Sequence, residues 1–350
     1  MRPTPSHLSL YLAAAYTLLA VYASLHPFAD WRDSGVDLGA FLFAGWPRYW
    51  TGFDFAVNVL AYLPLGFLWV PVSQPRLGRS GAVLLATLCG AALSLAMEAL
   101  QNYLPSRVPS NVDLACNTLG ALAGALAGAR WGHQLLDGGR LHAGRIRMIR
   151  AGSMGDAGLL LLGLWLLTQL TPETLLFGNG DLRSLLGLAA PLPYSAGRFA
   201  DIEAAIVGAN TLAVTLLAAR LGRMRLRLPV LALIFAALAV KSFVLALSLG
   251  ALHGFAWTTY GSLLGLTAGL GLWLAAGLLP PHVQQVLAAL ALLFATVLVN
   301  LAPENPYLAN TWQTWNPGQF LNFHGLTKLV SSLWPFLALP WLMMLKTEKK

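Results

Sequence analysis

Apolar runs of roughly membrane-spanning length recur along the whole of this 350-residue sequence, separated by short polar segments. The runs are continuous rather than alternating with a period of two, so they specify helices and not the strands of an outer-membrane barrel. With 57% hydrophobic and only 10% charged residues, the chain holds more apolar surface than a soluble core needs. The fold class read from these runs is all-α, a polytopic transmembrane helical bundle of about ten spans. They are placed near residues 8–26, 54–73, 81–101, 112–130, 156–171, 200–219, 229–251, 255–279, 283–301 and 327–345. The first run lacks a small-residue cleavage site and reads as a span rather than as a removed leader.

Basic residues are distributed unevenly between the two sides of such a bundle. A cytoplasmic amino terminus gathers Arg2, Arg76, Arg79, Arg130, Arg140, Arg145, Arg147, Arg150, Arg220, Arg223, Arg225, Arg227, Lys346, Lys349 and Lys350 inside. That is fifteen of the twenty-two, against five outside: Arg32, Arg48, Arg107, Arg183 and Arg198. The bias orients both termini to the cytoplasm, and it accounts for the net charge of +8 through topology and anionic lipid, with no nucleic-acid partner implied.

Landmarks four spans apart divide the chain into residues 1–150 and 151–350 and suggest a degenerate parallel repeat of spans 2–4 and 6–8. Arg76-Leu77-Gly78-Arg79 corresponds to Arg220-Leu221-Gly222-Arg223, and Gly120, Gly124 and Gly128 correspond to Gly261, Gly265 and Gly269. Glycine at four-residue spacing lies on one helix face and admits a second backbone closely. The copies differ in polar content, since Gly254 and Thr258 fall where the first has Asp113 and Asn117, and the second places Lys241 in an apolar run.

Glu98, Gln101, Arg107 and Asp113 fall within sixteen residues of otherwise apolar chain. A carboxylate at membrane depth costs roughly 2.5 to 3.5 kcal/mol, so such groups persist where they pair, line a wet cavity or meet a polar ligand. Glu98 and Gln101 share one helix face, as do Asp113 and Asn117, and the turn 102–111 between them, with Pro105 and Pro109, returns the chain antiparallel. Arg107 in that turn suits a carboxylate or a phosphate bidentately. Ser110, three residues before Asp113, fits a helix N-cap, and an ordinary capped turn with a structural ion pair is the alternative reading of the cluster. Asp54 and Asn58 form a second polar face ahead of Tyr62 and Pro64; Asp54 is either a cap or a ligand contact, and Pro64 is expected to kink the span and free the Leu60 carbonyl.

The ordered set Asp54-Phe55-Ala56-Val57-Asn58, Leu63-Pro64-Leu65-Gly66-Phe67, Glu98-Ala99-Leu100-Gln101, Arg107 and Asp113-Leu114-Ala115-Cys116-Asn117-Thr118-Leu119-Gly120 resembles the VanZ-like family over about residues 40–130. Where family members often carry an acidic or polar run after the arginine, this chain has Val108-Pro109-Ser110-Asn111. The resemblance implies a multi-pass protein of the bacterial cytoplasmic membrane, with relatives that lower susceptibility to teicoplanin-type glycopeptides. It marks Asn58, Pro64, Gly66, Glu98, Gln101, Arg107, Asp113, Asn117 and Gly120 as motif positions.

Three functions follow as expectations. The first is binding of an amphipathic envelope lipid or lipid-linked precursor at the outer leaflet, with Asp54, Asn58, Gln101, Arg107 and Asn117 as ligand contacts. The second is an intramembrane transferase or hydrolase on such lipids, with Glu98 as base, Asp113 as the second catalytic acid and Arg107 stabilising developing charge. The third is a proton-coupled lipid or solute transporter in which Glu98 and Lys241 exchange partners. No phosphate-cradling loop, metal-spaced histidine set or nucleophile elbow occurs in the sequence, so neither a cofactor nor a metal is expected. Cys89 and Cys116 lie inside spans as small apolar residues. In the segment 305–324, Tyr307, Trp312, Trp315, Asn310, Asn316, Asn322 and His324 suit either interfacial anchoring or stacking on sugars. The segment 172–199 reads as a lid or a connector.

Overall fold

A computed structural model describes residues 7–33, 35–45, 52–138, 143–144, 147–150, 152–222, 227–304 and 321–345; for 52–54, 137–138 and 321–323 it describes the backbone. Helices make up most of it, and among the described residues strand pairing is limited to a single bridge between Ile149 and Gly222. Seven helices among these residues are long and apolar enough to cross a membrane. Two further apolar helices, Ser153–Thr168 and Tyr260–Ala276, are shorter. The chain divides into two compact units, residues 1–147 with 151–156, and 148–150 with 157–350.

Unit 1 holds α1 (Leu8–Leu25), α2 (Gly52–Gln101) and α3 (Asn111–Ala127), the last continuing as a wider π-helical stretch, Gly128–Gly138. The 50 residues of α2 are two arms, because Gly78 leaves the helix at φ 68°, ψ 179°, a conformation that costs glycine little. Two spans separated at this point were expected from the sequence, and the arms do fold back: Val70 of the first packs with Ala82 and Ala86 of the second and with Ala125 of α3. The backbone stays helical through Pro64, Pro71 and Pro75, so the break occurs at Gly78 rather than at a proline.

The three glycines of α3 show why this packing is close. A methyl group built on Gly120, Gly124 or Gly128 would stand 2.3, 1.9 or 2.6 Å from the carbonyl oxygens of Val59, Leu63 and Phe67 on the first arm of α2. Only hydrogen fits, and the two backbones meet along a stair of carbonyls. In hydrocarbon, where helices gain nothing from excluding water, contact of this kind is the main source of association.

Unit 2 holds most of α4 (Ser153–Thr168), then α5 (Ala196–Leu221), α6 (Arg227–Leu249), α7 (Tyr260–Ala276), α8 (Pro281–Leu301) and α9 (Leu321–Met344). The same device recurs in it. Methyl groups on Gly261, Gly265 and Gly269 of α7 would stand 2.6, 2.4 and 2.6 Å from the carbonyl oxygens of Ala200, Ala204 and Gly208 on α5. Glycine and carbonyl partner share one register: 261 minus 120 and 200 minus 59 both give 141, and the other two steps repeat it.

Replacing Gly124 or Gly265 by alanine forces these backbones apart. Each variant is expected to lose about 1 to 3 kcal/mol or more, measured as a lowered thermal unfolding midpoint in detergent. Gly163→Ala, where a methyl meets nothing within 4 Å, serves as the control and should leave the midpoint unchanged or raise it slightly, since alanine favours a helix interior over glycine.

Candidate functional site

The polar residues of unit 1 collect where the second arm of α2 hands over to α3. Ser110 is the N-cap of α3, extended at φ −139°, ψ 130°, and its hydroxyl accepts from the Val112 and Asp113 amides at 3.2 and 3.4 Å. In an ordinary capping box the acid three residues into the helix would reach back to the N-cap amide. Here Glu98 does so from across the turn, its Oε2 accepting from the Ser110 N–H at 2.8 Å. Asp113 reaches across to another segment, its Oδ1 accepting from Asn58 Nδ2 on the first arm of α2 at 2.8 Å.

One turn deeper, Asn117 donates through Nδ2 to Ser94 Oγ at 2.9 Å, both side chains being buried. The Asn117 Oδ1 has no hydrogen-bond partner. Tyr62 places its hydroxyl beside Ser94, Ser24 and Glu98. Ser94, Glu98 and Gln101 follow at i, i+4 and i+7, so a single helix face carries this side of the cluster.

Two members grip the end of α1. Gln101 Nε2 donates to the Ser24 carbonyl and Arg107 Nη2 to the His26 carbonyl, each at 2.8 Å. These are carbonyls that a helix end leaves unpaired, and a cation beside them also complements the helix dipole. Arg107 lies in the turn. Burial pushes its guanidinium below its usual range, and the Glu98 carboxylate opposes that shift.

A segment before α2 covers the turn. Arg32 N donates to the Tyr103 carbonyl at 2.9 Å, Asn102 Nδ2 to the Val36 carbonyl at 3.0 Å and Asn111 Nδ2 to the Ala44 carbonyl at 2.7 Å. This edge is apolar: Phe43 of the short 3-10 helix Ala40–Phe43 is 91% exposed, and Val108 beside Arg107 is 86% exposed.

Burial is graded across the cluster. Glu98, at 3% exposure, and Asn117 are sealed, whereas Asn58, Gln101, Arg107 and Asp113 are half-buried. The structure therefore brings together Glu98, Asp113, Asn58, Gln101, Arg107 and Asn117, with Glu98 within electrostatic reach of both Asp113 and Arg107. The Asp54 side chain lies outside the described residues, as do Tyr307, Asn310, Trp312, Trp315, Asn316 and the Asn322 side chain. Ser94 and Ser24 were not foreseen as members; the four-residue step from Ser94 to Glu98 was the available signal. In unit 2, Glu203 is a further buried carboxylate, set beside the N-cap Thr259 of α7. Among the described residues no group of three or more His, Cys, Asp or Glu gathers to hold a metal ion.

Residues 5–131 match the VanZ/LLP1 family model, so this segment is VanZ-like. The match takes in α1 as well as the stretch from about residue 40 over which the motifs place the resemblance. Comparison with curated proteins finds no match, and comparison with solved structures finds none.

Glu98→Ala leaves the part-buried Ser110 amide without its acceptor and is expected to cost about 1 to 3 kcal/mol. Glu98→Gln keeps an oxygen at that place and should unfold within a few degrees of the parent. Thermal unfolding of both variants in detergent checks the difference.

Proposed function

We propose that the VanZ-like unit binds the headgroup of an amphipathic envelope lipid or lipid-linked precursor at the outer leaflet. The protein, in this reading, is a multi-pass component of the bacterial cytoplasmic membrane, and its effect on the cell is on susceptibility to teicoplanin-type glycopeptides. The graded burial carries the reading. Glu98 and Asn117 form a sealed layer that holds the hairpin, while Arg107, Asp113 and Asn58 form a half-buried layer above it, open to a polar group arriving from outside.

The chemistry of that upper layer sets the ligand class. Arg107 supplies a fork of N–H donors that fits a phosphate, and Asp113 supplies acceptors that fit hydroxyls, so a headgroup with both matches best. Glu98 then acts as a positioning residue for Asp113, because one of its oxygens is held by the Ser110 amide. The exposed Phe43 and Val108 give the turn an apolar rim suited to lying against lipid.

The excess of basic residues on one side orients the turn outward, with both termini inside. The two arms of α2 and the shorter α4 and α7 complete about ten crossings; a 17-residue helix reaches about 25 Å, which slight bilayer thinning accommodates. The common 141-residue register of the glycine stairs supports an eroded duplication of spans 2–4 in spans 6–8.

Arg107→Lys preserves a donor to the His26 carbonyl but loses the fork. Lipid retained by the purified protein, identified by mass spectrometry, should fall about tenfold in affinity for this variant and for Asp113→Asn. It should be little changed in Glu98→Gln. Retention of the same lipid in equal amount by all three would overturn the proposal.

A further inference from the structure

Residues 169–181, between α4 and the helical turn Leu182–Leu185, carry no regular helix, yet Gln169, Thr171, Leu176, Phe177 and Asn179 are all buried. Irregular backbone inside an apolar protein is tolerated where its polar groups find partners in the protein. The far end of this stretch meets that demand conventionally. Asn300 of α8 donates to the Gly180 carbonyl at 2.8 Å and accepts from the Leu182 and Arg183 amides at 3.0 Å, and Ser332 of α9 donates to the Asp181 carbonyl at 2.9 Å.

The near end is different. Its oxygens turn inward on one point, the Nζ of Lys241 from α6, with Thr174 O at 2.7 Å, Thr171 O at 2.8 Å, Thr174 Oγ1 at 3.2 Å and Pro172 O at 3.4 Å. Lys241 is 2% exposed. An ammonium group has three protons, and four oxygens surround this one, three of them backbone carbonyls within residues 171–174 of one loop. Rings of carbonyls that replace a hydration shell are how proteins hold bare alkali ions, and an ammonium is close to potassium in size. Glu173, within the same loop, supplies the countercharge. Burial alone would raise its carboxyl, but the hydrogen bond from His324, at 3.4 Å, together with the electrostatic pull of the His324, Lys328 and Lys241 side chains, outweighs it and holds the group below its usual range.

We propose that Thr171 O, Pro172 O, Thr174 O and Thr174 Oγ1 form a monovalent-cation site that the chain fills with its own Lys241 ammonium, and that takes a potassium, sodium or ammonium ion once the lysine is removed. The four oxygens are neutral, with no carboxylate among them, which disfavours calcium and its several carboxylate ligands. The tethered cation makes the buried loop independent of external salt. It also fixes Lys241 to unit 2 as a structural ion, which is a different role from a proton carrier that changes partners.

The test uses the full chain in detergent with Lys241→Met, which fills the side-chain path but not the cage, and Lys241→Ala, which opens both. Thermal unfolding is followed in potassium, sodium, ammonium and choline chloride at equal ionic strength, choline being too large to enter. Both variants are expected to unfold roughly 5 to 10 °C higher in at least one of the small cations than in choline, with saturation, while the parent protein is indifferent. Equal midpoints in all four salts would overturn the proposal. So would failure of both variants to fold in any of them, since an ion able to occupy the cage would restore it.

Discussion

The hydrogen bond from the Ser110 amide to Glu98 is the interaction on which the polar half of unit 1 depends. It joins the last turn of one span to the first residue of the next and sets the angle at which α3 returns. It also answers a demand that hydrocarbon makes severe, because a helix start presents bare N–H groups that water would otherwise meet. Glu98 meets it from outside the helix, and Asp113, one turn into α3, pairs with Asn58 on a third segment. A charge that is costly at membrane depth thus organises three helix segments at once.

Close backbone contact is the complementary constraint. Glycine stairs bring α3 onto the first arm of α2, and α7 onto α5, nearer than any side chain permits. In unit 1 this proximity carries Asn58 to within a hydrogen bond of Asp113. In unit 2 it sets Gly261 against Glu203, whose carboxylate occupies the space a methyl would need. The two units share the stair and differ in what is mounted beside it, which is why a common register coexists with different polar chemistry.

The helices, the turn 102–110 and the Ser110 cap were all legible from apolar periodicity, two prolines and a serine three residues ahead of an acid. So was the gathering of Glu98, Gln101, Asp113 and Asn117 on facing helix sides, since spacing alone fixes faces. The hydrogen-bond partner of Glu98 was not, because it depends on how tightly the hairpin closes; Arg107, the cation the turn offers, lies within electrostatic reach of Glu98, while the Ser110 amide makes the bond. The segment 172–199 read as a lid or connector because prolines and polar residues between apolar runs usually lie at a surface. Its first part is buried instead, stabilised by Lys241, Asn300, Ser331 and Ser332 from three other apolar runs, where nothing in local pattern announces a loop as partner.

Single-particle imaging of the protein in nanodiscs of its native lipids, at a resolution that separates headgroups, tests the division between a holding layer and a binding layer most directly. The account predicts headgroup density against Arg107 and Asp113, with Glu98 still on the Ser110 amide. Density that reaches Glu98 with the Ser110 bond broken, or a turn with no headgroup density against Arg107 and Asp113, would contradict it.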